Sequence, residues 1–471
     1  MSTSPLSSEK IERERAESNE QGHVFAHWSE LSEEARGGLL TQLANVDYAL
    51  MRKLAGLVAE DAEDAEAPEL TPPALFPLVR DADQIKEAEH ATALGSERLA
   101  AGKVGFMIVA GGQGSRLGYD GPKGCYELGP LTDRSLFAYH AGRLRAAGAR
   151  HGFEPVWYVM TSPVNAEATK AFFKAQDSFG LGAKNIFFFS QAMLPAIDLY
   201  GRLLLSGPGS LFLAPNGHGG SLAALASSGA LEHMRARGIE TLSYFQVDNP
   251  LARPANPLFV GLHCGAKAGM SSKVVSKRDA GEKVGVIGGV NGKLGCIEYS
   301  DLSADLRDAR DEDGNLVFRA GNIALHMLDV GFIESLTSGG SLQLPWHVAK
   351  KEMNVLGADG RRVDVDGVKF ETFVFDALAE SPASVTLEVD RALEFSPVKN
   401  KDGQDSAATC RADLNTLFAK MLRAAGLSVP AGGLEVDPMF AEDEAEFAGR
   451  CAAAKCTPLE VNGGQLFELP S

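Results

Sequence analysis

The sequence predicts an α/β protein built on a central, mainly parallel β-sheet, with helices at the N-terminus and a small C-terminal domain. Three observations carry this. Apolar runs recur along the middle of the chain at Val104–Ala110 (VGFMIVA), Pro155–Thr161 (PVWYVMT), Ile186–Phe189 and Thr241–Val247, and near-continuous apolarity marks strands buried on both faces. Helix-like stretches at Ser135–Ala147, Asn165–Ser178 and Ser221–Arg237 separate them, and strands alternating with helices imply a parallel sheet covered on both sides. Finally, 45% hydrophobic and 23% charged residues are ordinary values for a soluble globular protein. Ligands of such sheets bind beyond the carboxyl ends of the strands, so the loops after Ala110, Thr161, Phe189 and Val247 hold the interest.

Residues 1–57 are charged and helix-forming, with Leu39, Leu43, Val46, Leu50 and Leu54 near helical spacing. An acidic, proline-containing stretch from Glu60 to Pro73 reads as an exposed connector. From about Leu387 the chain turns to short strand-like pieces, Glu435–Phe440 and the closing LEVNGGQLFEL, with a turn at Gly463 and Gly464. The 471 residues therefore divide at 1–98, 99–386 and 387–471, in keeping with about 150 residues per domain. No internal repeat is visible.

Charge and composition exclude several functions. Against 62 acidic residues stand 45 Lys plus Arg, a formal charge of −17, and such a surface repels nucleic-acid backbones. No apolar stretch approaches the roughly 18 residues that span a bilayer. Met1–Asn19 lacks the apolar run of a secretory signal, so a cytoplasmic protein is expected. The six cysteines (Cys125, Cys264, Cys296, Cys410, Cys451, Cys456) form no zinc-spaced pair and read as reduced structural thiols.

The first strand runs straight into Gly111, Gly112, Gln113, Gly114, Ser115, Arg116, Leu117, Gly118 and then Gly121, Pro122, Lys123. Glycines after a buried strand let backbone N–H groups approach an anion closely. A dinucleotide fingerprint fails, because the spacing is G-x-G-x-x-x-G with Arg116 inside it, and a Walker A loop fails because Lys123 lies between Pro122 and Gly124. What remains is a turn delivering two cations, a fork and a point charge, and in an acidic protein that pair suits a small polyphosphate.

IVAGGQGSRLGYDGPK resembles the signature LxxGGxGTRxGxxxPK of the UTP:sugar-1-phosphate uridylyltransferases, with Ser115 in place of Thr. Further blocks of that family follow in order: QAMLP (191–195), PNGHGG (215–220), QVDN (246–249), IEYS (297–300), AGNI (320–323), KFETFVFD (369–376) and FSPVKN (395–400). The likeness runs from about residue 25 to 470 and is nearest to the UDP-N-acetylglucosamine pyrophosphorylase branch. It implies a Rossmann-like nucleotidyltransferase sheet within 99–386 and the conversion of UTP and a hexose 1-phosphate into a UDP-sugar and pyrophosphate. By the same resemblance Arg116 stabilises pyrophosphate, Lys123 the α-phosphoryl oxygens and Lys399 the incoming phosphate. The nucleotide is held by Ala110, Gly111, Gly112, Gln191, Gly217 and Asp248, and the sugar by His218, Gly285, Glu298, Asn322, Phe373 and Phe375.

Asp248 ends a buried strand, where a carboxylate suits Mg²⁺ bridging to phosphates; an ordinary cap or turn Asp is the alternative. Phe373 and Phe375 alternate about Val374 like a strand, so core packing competes with a sugar contact. His218 within NGHGG departs from the GNGG of the N-acetylglucosamine branch and matches UDP-glucose relatives. The expected hexose is N-acetylglucosamine, from the SPVKN and FETFVFD blocks, with glucose or galactose as the alternative. A glycosyltransferase conflicts with the GGxGSRxG loop and Lys123, since a UDP-sugar has no triphosphate tail, and a catalytically silent UDP-sugar-binding regulator conflicts with the retention of Arg116, Lys123, Asp248 and Lys399.

Overall fold

A computed structural model describes residues 5–60, 68–340, 342–453 and 456–469. The chain forms two compact units, one of Met1–Ala67, Gln191–Ser221 and Gln343–Val374, the other of Pro68–Ser190, Leu222–Leu342 and Phe375–Ser471.

In the larger unit, ten strands among the described residues form one sheet: β1 (Leu70–Thr71), β2 (Val104–Val109), β3 (Trp157–Thr161), β4 (Ile186–Ser190), β5 (Thr241–Gln246), β6 (Met270–Ser276), β7 (Val286–Val290), β8 (Lys293–Ile297), β9 (Ala320–Asp329) and β10 (Thr386–Val389). The four apolar runs read from the sequence make its parallel heart, in the order β5-β2-β3-β4. Every residue of β3 is buried. Phe137 of helix Leu136–His151 and Phe173 of helix Ala166–Ala175 pack on Trp157 of β3 at ring separations of 6.2 and 5.3 Å. Beyond β5 the sheet continues with β9, antiparallel to β5, β6 and β7, while β6 pairs in parallel with β10.

Some local expectations shift. The long helix expected at Ser221–Arg237 is two helices, Gly220–Ser227 and Ala230–Ala236, broken at Gly229, whose φ of 80° lies in the left-handed region that interrupts an α-helix. Of the acidic connector, residues 61–67 lie outside the described residues, and Leu70–Thr71 is no mere linker but the edge strand β1, paired with β7. Cys451 and Cys456 are not separate thiols. Their Cα atoms stand 4.8 Å apart, within the span a disulfide bridges, and they are joined.

The C-terminal pieces form a three-stranded sheet of Leu434–Val436, Gly464–Phe467 and Leu459–Val461, turning at Asn462 and Gly463. Glu435 fastens it to the segment after the glycine loop. Fully buried, its carboxylate accepts from the N–H groups of Leu131 and Thr132, the Thr132 hydroxyl and the Tyr139 hydroxyl.

In the smaller unit, helices Pro5–Ser18, Glu33–Ala44 and Tyr48–Glu60 cover an antiparallel sheet of His347–Leu356, Arg362–Glu371 and Ile197–Asp198. The periodic residues named above meet it: Leu39, Leu43, Val46 and Leu54 are buried with Ile197, Val368 and Phe370. No helix among the described residues is long and apolar enough to cross a membrane.

Candidate functional site

In the larger unit the site begins where β2 and β5 end. The two are parallel neighbours in register to Val109 and Gln246, so the loops that follow leave the same edge of the sheet side by side. Ala110 still donates to the Met160 carbonyl at 2.9 Å, after which the chain turns out of the ladder. Gly114 donates to the Gly121 carbonyl at 2.9 Å and Lys123 to that of Gly112 at 3.1 Å, which folds the loop back and returns Lys123 to its root. From there the Lys123 ammonium reaches Asp248 at 3.3 Å, with side chains only 17% and 15% exposed. Arg116 stands exposed in the short turn Ser115–Leu117 of the same loop.

Two side chains without an expected role hold the root of this loop. The Asn165 amide donates to the Ala110 carbonyl at 2.9 Å and that of Gly112 at 3.3 Å, and the Ser162 hydroxyl donates to that of Gly111 at 2.8 Å. Both side chains are buried.

Asp248 and Lys399 are brought into one frame through backbone. The Val398 N–H donates to the Asp248 carbonyl at 2.8 Å. Beside it the Asn249 side chain donates to the Glu394 carbonyl at 2.7 Å and accepts from the Ser396 N–H at 3.1 Å. The frame is locked from below by Lys273 of β6, fully buried, whose ammonium bonds Glu394 at 2.6 Å and the Arg253 carbonyl at 3.1 Å. Burial pushes the Lys273 ammonium down while Glu394 pushes it up, burial prevailing. Such a charge is tolerable only because it is paired and hydrogen-bonded. Lys399 itself is half-exposed, 4.0 Å from Asp405. It lines a cavity of about 540 Å³ shared with Arg278, Lys283 and Phe395.

Gly285, Glu298 and Asn322 also converge. β7 and β8 pair Val286 with Ile297, which places Gly285 opposite Glu298, and the Asn322 N–H donates to the Gly285 carbonyl at 2.8 Å. The Asn322 side-chain oxygen accepts from the Ala324 N–H at 2.9 Å. Its amide nitrogen is directed at Cys296 Sγ, 3.8 Å away. Ala324 has φ of 53° where the β6–β9 register shifts, so a strained bulge aims this amide. Burial raises the pKa of the Cys296 thiol far above its usual value.

In the smaller unit a second cluster gathers three distant segments. Gln191, buried, donates to the Gly217 carbonyl at 2.6 Å and to the Asn216 side-chain oxygen at 3.3 Å. Thr372 donates to the Asn216 carbonyl at 2.9 Å and accepts from the Gly219 N–H at 2.8 Å. The turn between them needs glycine, since Gly217 has φ of 79° and a Cβ there would lie 2.3 Å from the Thr372 oxygen. His218 accepts the Val374 N–H at Nδ1, 3.1 Å away, so the neutral ring carries its proton on Nε2. Phe373 lies against His218 and His347, with ring separations of 5.2 and 4.5 Å.

The expected strand alternation through Phe373 and Phe375 does not hold. The strand stops at Glu371 because Thr372 bonds the 216–219 turn, and Val374–Glu380 is a 3₁₀ helix. Phe375 is buried, at 8% exposure, in the larger unit.

Sequence reasoning assigned no role to Ser162, Asn165, Asn216, Asn249, Lys273, Cys296 or Glu394. A lysine inside the strand-like MSSKVVS was the one strong signal, because a charge there demands a buried partner.

Comparison with known proteins follows the same lines. Residues 61–424 match the family model of the UTP–glucose-1-phosphate uridylyltransferases. The chain is 34% identical to the UDP-N-acetylglucosamine diphosphorylase 2 of Arabidopsis thaliana, covering 97% of this chain and 92% of the relative. It is equally 34% identical to the UDP-N-acetylglucosamine pyrophosphorylase of Saccharomyces cerevisiae, over 88% and 91%. The crystal structure of the uridine diphosphate N-acetylglucosamine pyrophosphorylase of Trypanosoma brucei superposes with a TM-score of 0.82 at 26% identity, covering 96% of each chain. With its glycine loop rooted on the sheet edge, and a family match spanning most of its length, the chain belongs to the UTP–glucose-1-phosphate uridylyltransferase family.

Proposed function

We propose that this protein transfers the uridylyl group of UTP to N-acetylglucosamine 1-phosphate, forming the UDP-sugar and pyrophosphate. The observation that carries the reading is the Lys123–Asp248 pair at the carboxyl ends of two adjacent parallel strands, with the Lys399 segment bonded to the Asp248 backbone. A phosphate oxygen of the sugar phosphate attacks the α-phosphorus. The bond to the α,β-bridging oxygen breaks, and that oxygen leaves on pyrophosphate with its electron pair. Both reactants are polyanions, so catalysis consists of neutralising charge and holding the oxygens in line. Lys123 takes the α-phosphoryl oxygens, Arg116 the leaving pyrophosphate and Lys399 the incoming phosphate. Ala110, Gly111, Gly112, Gln191 and Gly217 serve the nucleotide; His218, Gly285, Glu298, Asn322, Phe373 and Phe375 serve the sugar.

The donor set fits Mg²⁺ in one mode. Among the described residues no three His, Cys, Asp or Glu side chains gather as a metal cage. A single carboxylate, Asp248, at the phosphate end of the sheet matches an ion that takes most of its ligands from substrate phosphates and water. Bound there, the ion supplies charge neutralisation on the phosphates. The names of the relatives support N-acetylglucosamine as the sugar, while His218 keeps glucose as the rival.

The test is pyrophosphate release from UTP with Mg²⁺ across N-acetylglucosamine, glucose and galactose 1-phosphates. Turnover is expected with N-acetylglucosamine 1-phosphate and is abolished by EDTA. A preference for glucose 1-phosphate would transfer the assignment to that sugar, and no turnover with any of them would favour the silent regulator.

A further inference from the structure

We infer that Ser162 and Asn165, in the turn after β3, are positioning residues for the nucleotide: they aim the N–H groups of Gly111 and Gly112 at the ligand. The inference rests on the uridylyltransferase reading above and deepens it.

Three consecutive carbonyls, those of Ala110, Gly111 and Gly112, accept hydrogen bonds from two side chains of one turn. The chain has no cis peptide bond, and in a trans peptide the C=O and the following N–H point in opposite directions. Drawing the carbonyls of Ala110 and Gly111 toward the 162–165 turn therefore sends the N–H groups of Gly111 and Gly112 the other way. Neither donates a hydrogen bond within the chain among the described residues, and Gly112 is exposed. Successive N–H groups facing one side form a concave donor site for anionic or carbonyl oxygens.

The turn is built for this task. Ser162 and Asn165 are 4% and 1% exposed. Asn165 Oδ1 accepts from the Ser162 N–H at 2.9 Å, which leaves the amide NH₂ to face the loop. An acceptor in place of that NH₂ would meet two carbonyls and repel both. Glycines would otherwise leave the root of the loop free to rotate, so two buried side chains supply the stiffness that the loop's own sequence lacks.

The experiment uses the full chain and four proteins: wild type, Asn165→Ala, Asn165→Asp and Ser162→Ala. UTP binding is read by calorimetry and turnover by pyrophosphate release, with cooperative unfolding as the check on folding. Losing both Asn165 donors should weaken UTP about 10-fold or more, while kcat and the KM for the sugar phosphate stay within about threefold of wild type. Ser162→Ala, lacking one bond, should weaken UTP about threefold and carries the test if Asn165→Ala does not fold. Asn165→Asp should be the poorest of the set near pH 8. It should regain UTP affinity as the pH falls toward 6, because a protonated carboxyl can again donate to the Ala110 carbonyl; Asn165→Ala should show no such recovery. UTP affinity within twofold of wild type in folded Asn165→Ala or Ser162→Ala overturns the inference. So does an equal loss in both substrates, the mark of general damage. A wild type that binds no UTP overturns the functional reading and this inference with it, which separates the two failures.

Discussion

The cluster around Lys123 and the cluster around Gln191 are assembled by opposite means. The first grows from strand ends: β2 and β5 are in register, and their loops emerge together, so Lys123 and Asp248 meet although 125 residues separate them. Its charged groups lie on a frame of buried polar pairs, Asn165 under the loop and Lys273 with Glu394 under the Asp248 segment. The second has only one such pair, buried Gln191 with Asn216. Residues 191, 216–219 and 372–374 come from three places in the chain and are otherwise stitched through one glycine turn by hydrogen bonds with a main-chain group on at least one side. The contrast teaches where each should fail. The first depends on the charge state and partners of buried side chains, the second on backbone shape.

Acid should break the first arrangement with the largest effect. His140 donates from Nε2 to the carbonyl of Val247, next to Asp248, at 3.1 Å, and its Nδ1 has no hydrogen-bond partner among the described residues. Burial pushes its pKa down to about 4, and burial does the same to His263, which shares a hydrogen bond with Ser271 in the same unit. Both lie well below the unfolded value near 6.5, so from there down to about pH 4 the unfolded chain binds protons that the native chain does not. Stability therefore rises with pH across that window and falls on acidification. Each histidine should withdraw about 2 kcal/mol by pH 5. Denaturant titrations at pH 7 and 5 measure the total, and His140→Gln, which keeps a donor for Val247, should flatten the slope. An unchanged slope would show that the strand end tolerates the charge.

Lys123→Ala strikes the same cluster at its charge. An ammonium acting on developing phosphoryl charge contributes mainly to the transition state, so kcat should drop by roughly 10²-fold or more with folding retained. The variant also leaves Asp248 without its cation. Steady-state kinetics at saturating UTP decide the matter, and an unchanged kcat would reduce Lys123 to a structural partner of Asp248.

The same contrast governs how much could be read from sequence. The parallel heart of the sheet was legible because its strands are continuous apolar runs, and the glycine loop was legible because its residues are contiguous. The antiparallel extension was not. Strand β6 reads MSSKVVS, in which Ser271, Ser272 and Lys273 look solvent-seeking but are satisfied inside the core by His263, His326 and Glu394. Strands β7 and β8 carry glycines and lack alternation. In the sequence Asn165 only opens the helix-like stretch Asn165–Ser178, the local meaning of a polar residue before an amphipathic run. The carbonyls it serves lie more than fifty residues upstream. Most stitches of the second cluster have a main-chain group on at least one side, which nearly every residue type can offer and no composition reveals.

Backbone shape is tested at Gly217. With φ of 79° and a Cβ position 2.3 Å from the Thr372 oxygen and 2.7 Å from its nitrogen, Gly217→Ala must shift the turn or the strand end. The combined cost of left-handed backbone and overlap is about 2 kcal/mol. A fall of that size in stability, together with a higher KM for UTP through the displaced Gln191, would mark the turn as the cluster's weak point. A neutral result would mean that the stitches yield without loss.

His218→Asn probes the smallest effect and sharpens the comparison most, because His218 is where backbone stitching and side-chain chemistry coincide. Its Nδ1 accepts the Val374 N–H, a task an Asn side-chain oxygen can take over, so the turn should survive. What changes is the group offered to a sugar: an imidazole whose proton sits on Nε2 becomes an amide that both donates and accepts. An acetamido substituent presents an N–H and a carbonyl, whereas the glucose C2 hydroxyl is smaller and can play either part. If His218 lies beside C2, as the family resemblance implies, the ratio of kcat/KM for N-acetylglucosamine 1-phosphate to that for glucose 1-phosphate should move several-fold, the worth of one hydrogen bond at about 0.5 to 1.5 kcal/mol. The KM for UTP should stay near wild type. Wild type itself should prefer N-acetylglucosamine 1-phosphate. An unmoved ratio in a folded variant would make His218 a turn residue alone and send the search for sugar selection to Glu298, Asn322 and Phe373.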